Sequence, residues 1–535
     1  MPKKADITES ASGAVRFRAA TERRTDFPVI QASLDWQTWR VQLLAGLFVA
    51  FVAAVSMLNV ASLVLSDPDT LWHIKVGSDI WRDFSLPVQD TYSFTFSGHR
   101  WIAEQWLSQL LLFGSYAAGG WKGVVILAGI SVGLTAFLFY REIARVANPR
   151  IAAIITLIAI FLASPVFAAR PHILILPLAV AWTAALFRAA ERQQPPSFLL
   201  LALLVAWVNL HGSFPLAIMI AGFAFCHVLE THGFRDRSLV LRWAGFVACC
   251  LPAILIHPYG IEPLLFAVQM SLGNDWVPMI SEWLPFNARD KPIHEAGLLA
   301  FFALLLWIRP RLSLSKIAFV LFALHMFLMH QRFVFVYVLL VPMAIIRDMV
   351  PRDSRLSLTV WAGQPRDFIE SFAIGRFKVI AATLLLAAIA MPLTLFRSAV
   401  EPPSSVFAEK AIRFAQENLL PRNVLNDYDF GGTLIFHDIP TFVDGRSGML
   451  FLGKFAADIA ETVRPDGATT FIRQLDDYHI GWTLLRNIDP RNLVLATLPQ
   501  WQRVYSDKDV MIYKRMSGTA SDTHGQNIEA KSETR

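Results

Sequence analysis

The chain has 535 residues, of which 55% are hydrophobic and only 17% charged, with a formal net charge of +6 at pH 7. So little charge over this length, together with a mean hydropathy of +0.45, excludes an ordinary soluble globular protein and points to a polytopic membrane protein. The basic excess is spread between apolar runs and forms no single patch, which argues against nucleic acid and reads as a topology signal.

Residues 1–40 are polar and carry several Lys and Arg; with no small-residue cleavage site, they read as a disordered cytoplasmic leader. Apolar runs suited to about 30 Å of hydrocarbon follow near 42–65, 123–140, 151–168, 173–188, 197–210, 214–230, 241–257, 296–308, 313–329, 333–346 and 379–396. That makes about eleven expected helices. With the N-terminus inside, the inside segments carry 24 Lys and Arg against 8 in the outside segments before the last helix. The alternation predicts an inside N-terminus and an outside C-terminus. Cys226, Cys249 and Cys250 all fall in apolar runs and read as small core residues.

Two of the expected outside loops are long and rich in Trp, 66–122 and 257–295, and both are expected to lie at the bilayer surface. The first holds the amphipathic pieces "LWHIKVGSDIWRDF" and "WLSQLLLFGSYAAGG". Beyond a transmembrane region at 41–398, residues 399–515 change character. There β-like runs ("TLIFHD", "PTFVDG", "GWTLLR", "DVMIYK") alternate with helical ones ("FAEKAIRFAQENL", "KFAADIAETV", "RNLVLATLP"), which predicts a small extracytoplasmic α/β domain. Residues 516–535 read as a disordered tail.

The stretch "LSDPDTLWHI" places Asp67 and Asp69 at the mouth of the first expected helix. They serve either as a polar boundary in which Asp69 or Thr70 caps the next helix or as functional carboxylates. His73 lies one helical turn after Asp69. Glu104 in "HRWIAEQWL" and Glu282 in "MISEWLP" add carboxylates expected on the same side. Converging carboxylates can deprotonate a hydroxyl or hold a divalent cation, Mg or Mn, although no cofactor is certain from the sequence. Arg170 in "FAARPHIL" and Arg332 in "LMHQRFVF" stand at expected outer helix ends, either snorkelling to headgroups or binding an anion. His211 in "VNLHGSFP" and the "IHPYG" turn at 256–260 lie on that side too. In the outer segment, "NDYDFGGTLIF" and "VDGRSG" read first as turns, with Asp427, Asp429, Gly431 and Gly432 as an alternative ligand loop. No HExxH, CxxC, GxSxG, GxGxxG or GxxxxGK[ST] pattern is present.

The acidic motif, the amphipathic helix, "LPVQDTYSFTFSGHRW", the following acid and the "WL" return to the membrane resemble the first external loop of the GT-C glycosyltransferase superfamily. That group includes oligosaccharyltransferase catalytic subunits, protein O-mannosyltransferases and bacterial lipid A aminoarabinose transferases, and the motif is nearest to bacterial members opening with "DPDTxWH". The likeness covers the first 140 residues in motif and the whole chain in architecture. It implies an inverting transfer of sugar from a polyprenyl-phosphate donor to a glycolipid, polysaccharide or protein on the outer face of the bacterial cytoplasmic membrane. By motif position Asp67 or Asp69 would be the base, with Glu104 beside them. His73, Arg170, His211, Glu282 and Arg332 would bind substrate, Arg332 being the first choice for the phosphate. The chain lacks the "DE" pair of many mannosyl and lipid A transferases and the "WWD" of oligosaccharyltransferases, so asparagine-linked protein glycosylation is not expected. The rival readings are a non-catalytic scaffold of envelope polysaccharide assembly and a transporter. Ionisable residues clustered at helix ends, with His325 the main mid-span exception, speak against transport.

Overall fold

The computed structural model describes residues 36–273, 280–350 and 400–516. Most of the expected leader, the expected span at 379–396 and most of the expected tail lie outside them.

In chain order, α1 (Trp36–Asn59) and the short α2 (Ala61–Val64) lead to α3 (Asp69–Asp83) and α4 (Trp106–Ile143). The helices α5 (Pro149–Ala163), α6 (Pro171–Glu191), α7 (Leu201–Leu210), α8 (Pro215–His232) and α9 (Arg237–Ile254) follow. After them come α10 (Glu262–Leu272), α11 (Pro292–Ile308), α12 (Leu314–Met329) and α13 (Val341–Ile345). Among the described residues six helices are long and apolar enough to cross a membrane, and four shorter apolar ones lie at Phe198–Leu210, Pro292–Ile308, Leu314–Met329 and Gln331–Ile345. The expected spans other than 379–396 fall on these helices.

Two local features set the geometry. Helix α4 breaks at Gly119–Gly120, where Gly120 has φ +58°, a left-handed conformation that glycine adopts without a Cβ clash. Its first part carries the amphipathic "WLSQLLLFGSYAAGG" and its second enters the apolar bundle. There Gly129 and Gly133, four residues apart, let α4 lie on α1: a Cβ on either would meet the carbonyl of Ala54 at 2.8 Å or of Ala50 at 2.9 Å. Close backbone approach through small residues is a common way for helices to pack in lipid.

Residues 400–516 fold around a four-stranded sheet of order β1-β2-β4-β3, formed by β1 (Val424–Asn426), β2 (Trp482–Arg486), β3 (Trp501–Ser506) and β4 (Val510–Arg515). β1 and β2 are parallel, with Leu425 opposite Thr483; the other pairs are antiparallel, with Leu484 opposite Ile512. Val424, Trp482, Leu484 and Ile512 pack with Ile412, Phe430 and Leu434. Leu425, Leu485 and Tyr513 share a core with Phe442, Phe455 and Phe471, and that core takes in Trp72, Val76 and Ile80 of α3 and Trp101. The first long loop and the C-terminal segment are therefore one hydrophobic body.

Two expected strands are corrected. "TLIF" lies in the helix Gly431–Phe436, and "PTFVDG" makes only an isolated parallel bridge, Thr441 to Ser93. Leu434 faces one core and Ile435 the other, and burial on both sides removes the periodicity that separates helix from strand. The strands β1 and β3 and the helix Ala468–Asp477 were not expected from sequence.

Candidate active site

The "DPDT" turn is built by its own carboxylate. Pro68 precedes α3 in helical conformation, and the Asp69 amide donates to Asp67 Oδ1 at 2.9 Å. Neither Asp69 nor Thr70 caps the helix: Thr70 Oγ1 donates instead to the Ala169 carbonyl (3.0 Å), and the Ala169 amide donates to Val64 (2.8 Å). These bonds pin the residue before Arg170 to the end of α1–α2. Arg170 precedes Pro171 and is accordingly extended, with φ −119° and ψ 165°. Its guanidinium thus projects from the start of α6 into the acidic turn.

Three carboxylates from two loops meet that guanidinium. Arg170 Nη1 lies 3.0 Å from Asp67 Oδ2 and 2.9 Å from Glu282 Oε2, and Nη2 lies 2.7 Å from Asp69 Oδ2. Glu282 Oε1 in turn faces Arg332 Nη1 at 3.2 Å. The Glu282 turn is stapled to the start of the Gln331–Ile345 helix. His330 Nδ1 donates to the Trp283 carbonyl (2.6 Å), Gln331 N donates to Leu284 O (3.1 Å), and the Arg332 guanidinium lies 4.5 Å from the Trp283 ring centre. Five of the candidate residues, Asp67, Asp69, Arg170, Glu282 and Arg332, therefore form one ionic cluster at the ends of apolar helices.

The carboxylates are not equivalent. Burial, reinforced by Asp69 and Glu282 and opposed by Arg170, pushes Asp67 up to about 7. Glu282 is also penalised by burial, but Arg170 and Arg332 together hold it down at about 2. Asp69 is raised by burial, while Arg170 and a 2.9 Å hydrogen bond from Trp72 Nε1 favour its charge. Asp67 is thus poised near neutrality beside a carboxylate that stays ionised.

Other candidates take different places. His73 is buried, its ring centre 3.6 Å from that of Trp72 with the planes tilted by 35°, and is bonded through Nδ1 to Gln109 (3.3 Å), and burial with the nearby Arg170 keeps it neutral. His211 Nδ1 bonds Ser213 Oγ (2.8 Å), and its ring centre lies 6.2 Å from that of His172. Glu104 stands apart: its Oε1 accepts from Gln105 (2.7 Å), burial pushes it up to about 7, and among the described residues no ion pair joins it to the cluster. Asn209 is a staple, accepting from Trp106 Nε1 (2.8 Å) and donating to Ile256 O (2.9 Å).

The C-terminal segment completes the site, which the sequence did not reveal. Gly432 lies against the Pro68 carbonyl, where a Cβ would come within 2.1 Å, and Gly445 against Asp69 Oδ1, where a Cβ would come within 1.9 Å. Arg446 anchors this contact. Fully buried, it pairs with Asp90 of the first loop (2.5 Å) and with Asp444 (2.7 Å), and faces the rings of Tyr92 and Trp101. Tyr428, bonded to Ser447 Oγ at 3.1 Å, is close enough to Asp69 and Arg170 to feel both charges, and burial pushes its hydroxyl up. Beside it opens a cavity of about 200 Å³ lined also by Asp427, Asp429 and Arg491.

Solved structures of two proteins align with the chain over most of its length. The apo oligosaccharyltransferase of Archaeoglobus fulgidus aligns over 84% of this chain and 69% of its own, with 12% identity and a TM-score of 0.47. Apo ArnT of Cupriavidus metallidurans aligns over 86% and 96%, with 16% identity and a TM-score of 0.48. The same ArnT bound to undecaprenyl phosphate aligns over 89% and 98%, with 13% identity and a TM-score of 0.46. No family model matches the chain, and no curated protein matches it.

Proposed function

We propose that the protein is a membrane glycosyltransferase that moves a sugar from a polyprenyl-phosphate donor to a glycolipid, polysaccharide or protein acceptor on the outer face of the bacterial cytoplasmic membrane. The observation that carries this reading is the cluster itself: a carboxyl poised near 7 and a guanidinium with, among the described residues, a single carboxylate partner, held at the ends of apolar helices. A lipid-held donor cannot leave the bilayer, so its reacting carbon must be met at such a boundary.

In the proposed step the acceptor oxygen attacks the anomeric carbon while Asp67 takes its proton; the O–C bond forms as the bond from carbon to phosphate oxygen breaks. The electron pair leaves with the polyprenyl phosphate, on which Arg332 donates hydrogen bonds to the developing charge. Attack opposite the leaving group inverts the sugar carbon. Asp69, fixed by Trp72 and Arg170, stands beside Asp67 and donates its amide to Asp67 Oδ1.

The test uses purified protein in nanodiscs supplied with lipid extract and envelope acceptors from the source cells. Mass spectrometry should show free polyprenyl phosphate and a glycosylated product accumulating together. Neither appearing above the level of an Arg332→Gln control would overturn the proposal.

A further inference from the structure

We infer that the Arg170 guanidinium occupies the place a divalent cation would hold among Asp67, Asp69 and Glu282, so that the site works with a fixed organic cation and no resident metal ion. The inference rests on the glycosyltransferase reading only where activity is measured; its binding test does not.

Five of the six carboxylate oxygens accept a hydrogen bond, Asp67 Oδ1 from the Asp69 amide, Asp69 Oδ1 from Trp72 Nε1 and three more from Arg170, while the sixth, Glu282 Oε1, is buried without a hydrogen bond and meets only the charge of Arg332 at 3.2 Å. The distances to Arg170, 2.7–3.0 Å, are those of charge-assisted hydrogen bonds. A Mg or Ca ion needs its oxygens at about 2.0–2.6 Å around a common centre, and that centre is filled by a planar guanidinium. Among the described residues no group of three or more His, Cys, Asp or Glu is arranged to hold a metal ion.

Arg170 is also held where it stands. The bonds from Thr70 to Ala169 and from Ala169 to Val64 fix the backbone beside it, and Pro171 sets its extended conformation. A cation entering the turn would have to expel this side chain against three carboxylates. Arg is suited to the role because its charge is permanent and its donors are pre-organised to meet several carboxylate oxygens. A metal could be removed by chelation; this cation is part of the chain.

The test is Mn²⁺ titration of the full-length protein in nanodiscs, read by electron paramagnetic resonance. The wild type should bind no stoichiometric Mn²⁺, whereas Arg170→Ala should gain one site per chain, lost again in Arg170→Ala/Asp69→Asn. One Mn²⁺ per wild-type chain, abolished by Asp69→Asn or Glu282→Gln, would overturn the inference. So would a folded Arg170→Ala that gains no site, and if that variant does not fold, the wild-type titration decides alone. In the activity arm, a chelator should leave wild-type transfer unchanged, and Mn²⁺ should raise residual Arg170→Ala transfer about tenfold or more. Loss of wild-type transfer on chelation would overturn the inference; absence of any wild-type transfer would count against the glycosyltransferase reading, and the Mn²⁺ titration would still decide this one.

Discussion

A methyl group added at Gly445 tests whether the C-terminal segment positions the acidic turn. Its Cβ would come within 1.9 Å of Asp69 Oδ1 and 2.8 Å of Trp72 Nε1, whereas ordinary contact begins near 3.4 Å. Both atoms are the far ends of side chains, so the fold can accommodate Gly445→Ala by moving them, and what moves is the site. Breaking the charge-assisted Trp72–Asp69 bond is worth about 1.5–3 kcal/mol, equivalent to roughly 10- to 150-fold in rate. Turnover should be followed as release of polyprenyl phosphate, with thermal unfolding in the same detergent as the control for folding. Gly432→Ala provides the contrast, because its Cβ would meet the Pro68 backbone carbonyl at 2.1 Å and should lower stability as well as rate. Gly245→Ala, with nothing within 4 Å, should change neither. Wild-type turnover in Gly445→Ala would refute the idea that this contact holds Asp69 in place.

Arg332→Gln should weaken binding of a polyprenyl phosphate about tenfold or more, measured by calorimetric titration; unchanged affinity would remove Arg332 from the phosphate site. Transfer should rise with pH through about 7, because Asp67 must be ionised to accept a proton, and Arg170→Gln should move the inflection higher by removing the charge that favours ionisation. A rate independent of pH between 5.5 and 8.5, roughly the span that brackets such a base, would contradict the assignment. Stability runs the opposite way: folding raises this carboxyl from 3.8 to about 7, so its contribution is fully present below the lower value and is lost as pH rises through the upper one. On the opposite face, Lys316 is buried between Glu191 (2.7 Å) and Asp348 (2.5 Å). Lys316→Ala should cost about 1.5–3 kcal/mol of stability by removing its charge-assisted bonds, Glu191 being left with Arg347 (3.0 Å), read as a lowered unfolding temperature with turnover per folded molecule retained.

Much of the membrane region was legible because lipid leaves one option, an apolar helix whose backbone bonds are internal, and that option writes long apolar runs into the sequence. The cluster was legible for a related reason: charges such as Arg170 and Arg332 at the ends of apolar runs are expensive unless used, so they stand out singly. Their pairing was harder to read, since Arg170 meets Asp67 across 103 residues and Glu282 across 112. Asp67, rather than Asp69 or Thr70, organises the turn because Thr70 is drawn away to Ala169, a tertiary contact that outweighs the local capping preference. Glu104 looked equivalent to the other acids in the chain but is turned to Gln105, and nothing in its neighbours' identity signals that. Gly445 and Tyr428 were visible only as turn residues; their role comes from a C-terminal segment folding back on residues some 350 positions earlier. Helix Gly431–Phe436 escaped because it lies between two cores.

The central claim, that Asp67 is the base of a sugar transfer, is tested most directly in cells lacking the gene and complemented with wild type or with Asp67→Asn at equal membrane protein level. Mass spectrometry of envelope glycans and glycolipids should show one sugar lost on deletion, restored by wild type and still missing with the near-isosteric Asp67→Asn. Full restoration of that sugar by Asp67→Asn would contradict the account.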